Sequence, residues 1–341
     1  MFTGVIDLAG DVNLRRCGAS DETCLDEVAS ELAAADVRLG NLEGAFADDD
    51  GELFFKPGWY HGQPDMATCL VGRFDAMGCA NNVHHGEAIV QSIRVLDHLG
   101  IGHAGAGSDL ESAHRPAIVP GGGGTVGLLA YTSVFEPAGH AATSTSPGVA
   151  TVKGHTAYEP NPRVLQMPGA PALVRTWADP AELQRARQAV RALRGRVDVV
   201  VVYLHFGVSM SPAVHDYQRE IAHALVDAGA DLVAGAHSHT LGGVERYGTG
   251  LIFYSLGNFI FNVGFHPTAT LDGALAKVEI RENHLTACRL LPTYRDASAS
   301  ATFVDPSSGE GARIAELLQT RSAQLGTDLE LSAGGLVVAS A

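Results

Sequence analysis

Lysine is almost missing from this 341-residue chain. Lys56, Lys153 and Lys277 are the only three among 23 basic residues, and all the others are arginine. Acidic residues number 38, so the formal net charge is −15. Nucleic acids and anionic bilayers are bound through clustered Lys and Arg, and this acidic excess argues against either as the main partner. Cysteine is scarce as well: Cys17, Cys24, Cys69, Cys79 and Cys288 are odd in number and form no C-x-x-C. That excludes a disulfide framework and a thiolate zinc site, and leaves buried reduced thiols as the expectation. No apolar run approaches the roughly 20 residues of a membrane span. Nor does the chain open on a basic stretch followed by the apolar core of a signal peptide. A cytoplasmic protein acting on a small molecule, without membrane or nucleic acid, is therefore expected. Oligomeric state is not legible.

Apolar residues, by contrast, make up 46% of the chain, enough for a sizeable core. The 40 glycines imply many tight connections. Short apolar strands alternate with helical periodicities. Strands are expected at 3–9, 37–39, 127–131, 197–204, 231–235, 251–254, 257–261, 273–281 and 284–291. Helices are expected at 22–35, 64–77, 86–99, 180–194, 216–228 and 310–324. Residues 135–179, rich in Pro, Gly, Ala, Ser and Thr, read as an irregular insertion or lid. No internal repeat occurs. One α/β sandwich domain over 1–300, with 301–341 as a helical extension packed on it, covers the chain.

Polar residues gather just past the predicted strands. Asp11 follows the first strand, Asn41 and Glu43 the second, Asn81 and Asn82 the third, His205 the fourth, and His237 and His239 the fifth. Loops at strand C-termini are where α/β folds build their sites. Carboxylates, amide oxygens and imidazoles suit Mn, Fe, Zn or Mg. The H-x-H pair converges on one site only if the backbone turns there, which the flanking Gly235 and Ser238 permit. Other histidines, such as His61, His114, His140 and His266, read as core or surface residues. Gly121–Gly124 reads as a hairpin turn, with no helix following to make a phosphate cradle. Phe54, Phe55, Trp59 and Tyr60 read equally as a pocket wall or as core.

The motifs Gly10-Asp11, Asn41-Leu42-Glu43, Ala80-Asn81-Asn82, His205-Phe206-Gly207, Gly235-Ala236-His237-Ser238-His239 and Tyr254-Ser255-Leu256-Gly257-Asn258-Phe259 together resemble the CapA family of poly-γ-glutamate capsule proteins, which is related to the calcineurin-like metallophosphoesterases. The resemblance covers most of residues 4–295. It implies a metallophosphoesterase-like four-layer α/β/β/α sandwich. It also implies that Asp11, Glu43, Asn82, His205, His237 and His239 line the site and hold a divalent metal if one is bound.

Three positions depart from the family pattern. The His after Asn-Asn is Val83, the following Asp is Gly86, and the Glu after the His205 motif is Ser209. The lost His resembles a leaving-group acid, whose removal typically costs about 10²–10⁴-fold. His84 and His85 lie one and two places further on, and His84 is the candidate substitute. Fewer anionic ligands weaken a divalent site, and a histidine released from metal serves as an acid or base near neutrality. The leading expectation is thus a CapA-like enzyme doing acid–base chemistry of the lyase or cyclase type on a small molecule. Its catalytic set is His205, His237, His239, Glu43, Asp11, Asn82 and His84. A metal-dependent phosphoester or amide hydrolase, and a capsule poly-γ-glutamate component, are the alternatives.

Overall fold

The computed structural model describes residues 1–14, 22–48, 60–261, 271–295 and 300–339. Strand Val199–His205 shows how the layers arise. It is buried at every position. Val199, Val201 and Tyr203 face one core, while Val200, Val202 and Leu204 face another. An unbroken apolar run is stable in a strand only when both faces are covered, and each buried Val or Leu contributes about 1.5–3 kcal/mol. One cover is the second sheet, through Ile6, Leu8, Leu39 and Ala76. The other is a helical layer, through Leu183, Ala186, Val190, Ile221 and Leu225 of helices Pro180–Arg194 and Asp216–Asp227. The far face of the other sheet is closed by helices Asp26–Leu32 and Glu87–His98, through Val28, Leu32, Ile89 and Leu96. Three cores between four layers make the α/β/β/α sandwich.

The sheet containing Val199–His205 has six strands, ordered Val244–Tyr247, Gly250–Phe253, Leu232–Ala236, Val199–His205, Gly124–Thr132 and Ala117–Gly121. The other has ten. Gly4–Val12, Val37–Leu42, Ala76–Gly78 and Gly102–Ala104 run parallel, and Asp272–Arg281 and His284–Arg295 continue antiparallel on the other side. The Tyr203 hydroxyl crosses between the sheets and donates to the carbonyls of Ala9 (2.9 Å) and Leu39 (3.1 Å). It pins the sheets together near the ends of the parallel strands.

Several sequence expectations need correction. Residues 64–77 are not one helix. Pro64–Leu70 is 3₁₀, Gly72 takes φ 72° and breaks the run, and Ala76–Gly78 is a strand. Residues 135–179 are not irregular throughout, because Gly154–Glu159 and Leu173–Ala178 form an antiparallel ribbon. The ribbon rests on helix Asp216–Asp227, where Tyr217 N–H donates to Thr176 Oγ1 (3.2 Å) and Ala178 N–H to Glu220 Oε2 (2.8 Å). Segment 301–341 is only partly helical. Helix Gly309–Ala323 is followed by the hairpin Leu329–Ser332/Gly335–Val338, which extends the larger sheet beside His284–Arg295. The Gly122-Gly123 turn is as expected, with φ 55° and 73° at its two central residues. Phe54, Phe55, Trp59, His266 and Cys17 lie outside the described residues. Tyr60 is 39% exposed.

Candidate metal centre

The site is built where the central strands of both sheets end. Asp11 closes the first strand and is wholly buried. Its Oδ1 accepts from Asn41 Nδ2 (2.7 Å), and its Oδ2 accepts from the His237 N–H (3.1 Å). Burial pushes the Asp11 carboxyl up to about 7 even with these donors. Glu43, also wholly buried, is set by its own N–H donating to the Val12 carbonyl (2.9 Å), while Asn13 Nδ2 donates to the Glu43 carbonyl (2.6 Å). Asn13 therefore fixes the Glu43 loop.

The three histidines arrive from the other sheet. The His205 carbonyl accepts from Ser133 N–H (2.9 Å) and Thr132 Oγ1 (3.2 Å), which locks the strand end. After Ala236 the backbone turns through the left-handed region at the histidines themselves, with φ 85° at His237 and 52° at His239. Non-glycine residues are uncommon there and mark functional turns. Gly235 makes the turn feasible, since a Cβ on it would sit 2.2 Å from the Tyr254 carbonyl oxygen. The rings then meet: centroids are 4.7 Å apart for His205 and His237, and 5.9 Å for His237 and His239.

Two donor groups result. Glu43, His205 and His237 present ligand atoms within 4.8 Å of one another, and so do Asp11, Glu43 and His239. Glu43 belongs to both. Glu43 Oε1 lies 3.8 Å from His205 Nε2 and 3.6 Å from His239 Nε2, and Asp11 Oδ2 lies 3.6 Å from His239 Nδ1. These separations exceed hydrogen bonds. The two between Glu43 and an Nε2 are near the roughly 3.3 Å between two ligands that share a tetrahedral ion at 2.0–2.1 Å. A buried set of carboxylates and imidazoles at this spacing fits a pair of divalent cations.

The other expected residues fall differently. Asn82 is half-buried, and the structural anchor of its corner is Asn81. Asn81 Nδ2 donates to the Leu42 carbonyl (2.6 Å), and Asn81 Oδ1 accepts from the N–H groups of Val83 and His84. His84 belongs to neither donor group. Its Nδ1 is 3.1 Å from Asn81 Oδ1, and burial, with smaller electrostatic contributions from His140, His61 and His103, pushes it down to about 3. Val83 is buried, Gly86 opens helix Glu87–His98 with φ 56°, and Ser209 is exposed. The five donors converge without these three positions. Asn258 was missed. Its Oδ1 is 3.0 Å from His239 Nδ1, which fixes the tautomer and aims Nε2 towards Glu43. Asn41, between Asp11 and His205 Nδ1 (3.4 Å), was likewise noted only for its place at a strand end.

A four-layer sandwich with such a donor cluster at its strand ends is the metallophosphoesterase-like fold. The family described as "Bacterial capsule synthesis protein PGA_cap" matches residues 5–263, and the chain belongs to it. A capsule biosynthesis protein CapA of Bacillus anthracis is 29% identical over 222 residues, 64% of this chain and 47% of that protein. A PGA biosynthesis protein CapA of Bacillus subtilis (strain 168) is 38% identical over 104 residues, 30% of this chain and 27% of that protein. A probable polyglutamine synthesis accessory protein of Mycobacterium tuberculosis is 30% identical over 278 residues, 77% of this chain and 67% of that protein. The match thus spans under half the length of either CapA relative.

Proposed function

We propose that this chain serves polyglutamate-type capsule synthesis as a metal-assisted hydrolase, cleaving an amide or phosphoester bond at the Asp11–Glu43–His205–His237–His239 centre. The observation behind this reading is the sharing of Glu43 between two donor groups, the arrangement that a two-cation centre needs. The capsule and polyglutamine descriptions of the relatives support the pathway. In this reading Glu43 bridges the two halves of the centre. Asn258 holds the His239 ring in its working tautomer, and Asn41 with the His237 N–H keeps Asp11 aligned. Asp11, Glu43, His205, His237 and His239 would hold the divalent pair, which would supply Lewis-acid polarisation of a carbonyl or phosphoryl oxygen.

The lyase or cyclase reading is not retained. The histidines it would release for acid–base work, His205, His237 and His239, all belong to the two donor groups, and none of the relatives above is described as a cyclase or lyase. Metal content by mass spectrometry, with hydrolysis of a γ-glutamyl anilide and a generic phosphodiester, tests the proposal. Bound transition metal and EDTA-sensitive turnover, both lost in Glu43→Gln, are expected. Turnover insensitive to EDTA but abolished in His237→Ala overturns it in favour of acid–base chemistry.

A further inference from the structure

A residue other than glycine keeps a left-handed backbone only where its surroundings over-determine it. His239 is held at φ 52°, and its ring serves the Asp11–Glu43–His239 donor group. Much of what surrounds it comes from a distant part of the chain. Helix Gly309–Ala323 lies beyond the residues 5–263 that the family model matches. Its buried Ile314, Ala315 and Leu318 pack in one cluster with Leu241, Val244 and Leu256. Leu241 lies just past the H-x-H turn, and Leu256 just before Asn258.

That apolar seat brings two arginines to the rear of the centre. Arg321 is half-buried, and its Nη1 donates to the Leu241 carbonyl and to Thr240 Oγ1 (3.3 Å). The Thr240 carbonyl accepts from Ser238 Oγ (2.8 Å), so the residue between the two histidines is tied to the same short segment. The helix backbone closes in as well. A Cβ on Gly243 would sit 2.4 Å from the Arg321 carbonyl oxygen, and Ser322 Oγ accepts from the Val244 N–H (2.9 Å). Arg313, about two helical turns earlier, holds the buried Asp272 through two bonds of 2.9 and 2.5 Å. Asp272 is in turn pressed against the Asn258 loop. A Cβ on Gly257 would lie 2.6 Å from the Asp272 carbonyl oxygen, and one on Gly273 2.4 Å from the Asn258 carbonyl oxygen. Asn258 is the residue that sets the His239 ring.

We propose that Arg321 and Arg313 are positioning residues that clamp the His239 half of the centre, so that a helix outside the family-matched segment sets the affinity for one cation of the pair. Neither arginine belongs to a donor group; each acts on the loop behind a ligand. The Glu43–His205–His237 half draws its support from elsewhere. Its His205 strand end is locked by Thr132 and Ser133, and the His237 N–H is bonded to Asp11. Resting on the two-cation reading of the centre, the clamp acts on the two halves unequally.

Titration of the metal-stripped protein with Co²⁺, followed by its visible absorption bands and by competition with a chelating dye, is the test. The unaltered protein is expected to take up two cations, one for each donor group. Arg321→Met keeps an apolar stem and removes the donors. It should weaken one cation about 10–100-fold, the usual effect of losing a group that orients a ligand, and leave the other unchanged. Its absorption bands should match those of His239→Ala rather than those of His237→Ala. Arg313→Met should show the same selectivity to a smaller extent, and Arg321→Lys, which keeps a cationic donor, should recover most of the loss. Two cations bound with unchanged affinity in Arg321→Met overturn the clamp and leave the metal centre in place. Equal weakening of both cations assigns the helix to general packing and overturns the clamp too. Unaltered protein that takes up no cation overturns the hydrolase reading, and the clamp with it. Melting curves show which variants are folded. If Arg321→Met is not, Arg313→Met carries the test; if neither folds, the arginines belong to the core and the clamp falls.

Discussion

At the strand ends around Glu43, carboxylates and imidazoles are buried where ionised groups are costly. On the 154–178 ribbon, tyrosine, leucine and tryptophan are exposed where apolar surface is costly. The two regions depart from the usual partition in opposite directions. The buried cluster is held by backbone geometry: left-handed histidines, a glycine against a carbonyl, and amide side chains threaded between ligands. The exposed cluster has almost no such support and rests on a two-stranded ribbon. A set of ligands held by so many backbone contacts serves chemistry at a fixed point, whereas the exposed ribbon carries no comparable positional constraint.

Replacing the shared carboxylate should break the comparison most severely. Glu43→Gln is expected to lose bound metal from both halves of the centre and to lower turnover by at least about 10²-fold; retention of full metal content in mass spectrometry would remove Glu43 from its bridging role. Asn258→Ala is milder. With the His239 tautomer no longer fixed, metal affinity should fall about 10–100-fold with little change in melting temperature, and competition with a chelating dye measures it. Gly235→Ala tests backbone support directly. Its Cβ meets the Tyr254 carbonyl, so denaturant unfolding should show a loss of about 1–3 kcal/mol, and an unchanged midpoint refutes the close approach.

A pH dependence separates buried ionisable groups from the donors. Burial pushes His114 down to about 4, so between about 6.5 and about 4 the unfolded chain binds a proton that the folded chain resists. Stability should therefore be complete above about 6.5 and decline as pH falls through that window. His114→Phe should flatten the decline in parallel urea titrations. The smallest effect belongs to the ribbon. Leu165→Ser should leave unfolding free energy within about 0.5 kcal/mol, and a larger loss would mean that the tip packs against the body of the protein.

The five donors were legible because each follows an apolar strand and because the motifs around them are specific. Their convergence was implied by the family resemblance, but the backbone conformation that achieves it was not legible. Nothing in Gly-Ala-His-Ser-His announces that both histidines take positive φ, a conformation set by the neighbouring Tyr254 strand. Asn258 sat in a recognised motif without a role, since orienting a ligand leaves no mark distinct from packing. The ribbon strands were hidden by a stretch dominated by small residues and proline, although His155–Tyr158 and Leu173–Trp177 each carry β-branched and aromatic residues. The final hairpin had its own cue, Gly334-Gly335 between apolar residues, masked by the strong helical pattern just before it.

The strand that carries Asp11 is made early and completed late. One of its edges is taken by residues 37–42, but the other pairs with residues 272–281, and the Asp11 N–H bonds to the Gly257 carbonyl (2.9 Å). During synthesis at about 5–20 residues per second, that second edge waits on the order of tens of seconds for its partner. For that interval the nascent chain offers an open strand edge and a half-built set of ligands. Assembly of the centre is thus timed by translation, and the full donor set comes together only after residues 257–281 have been made.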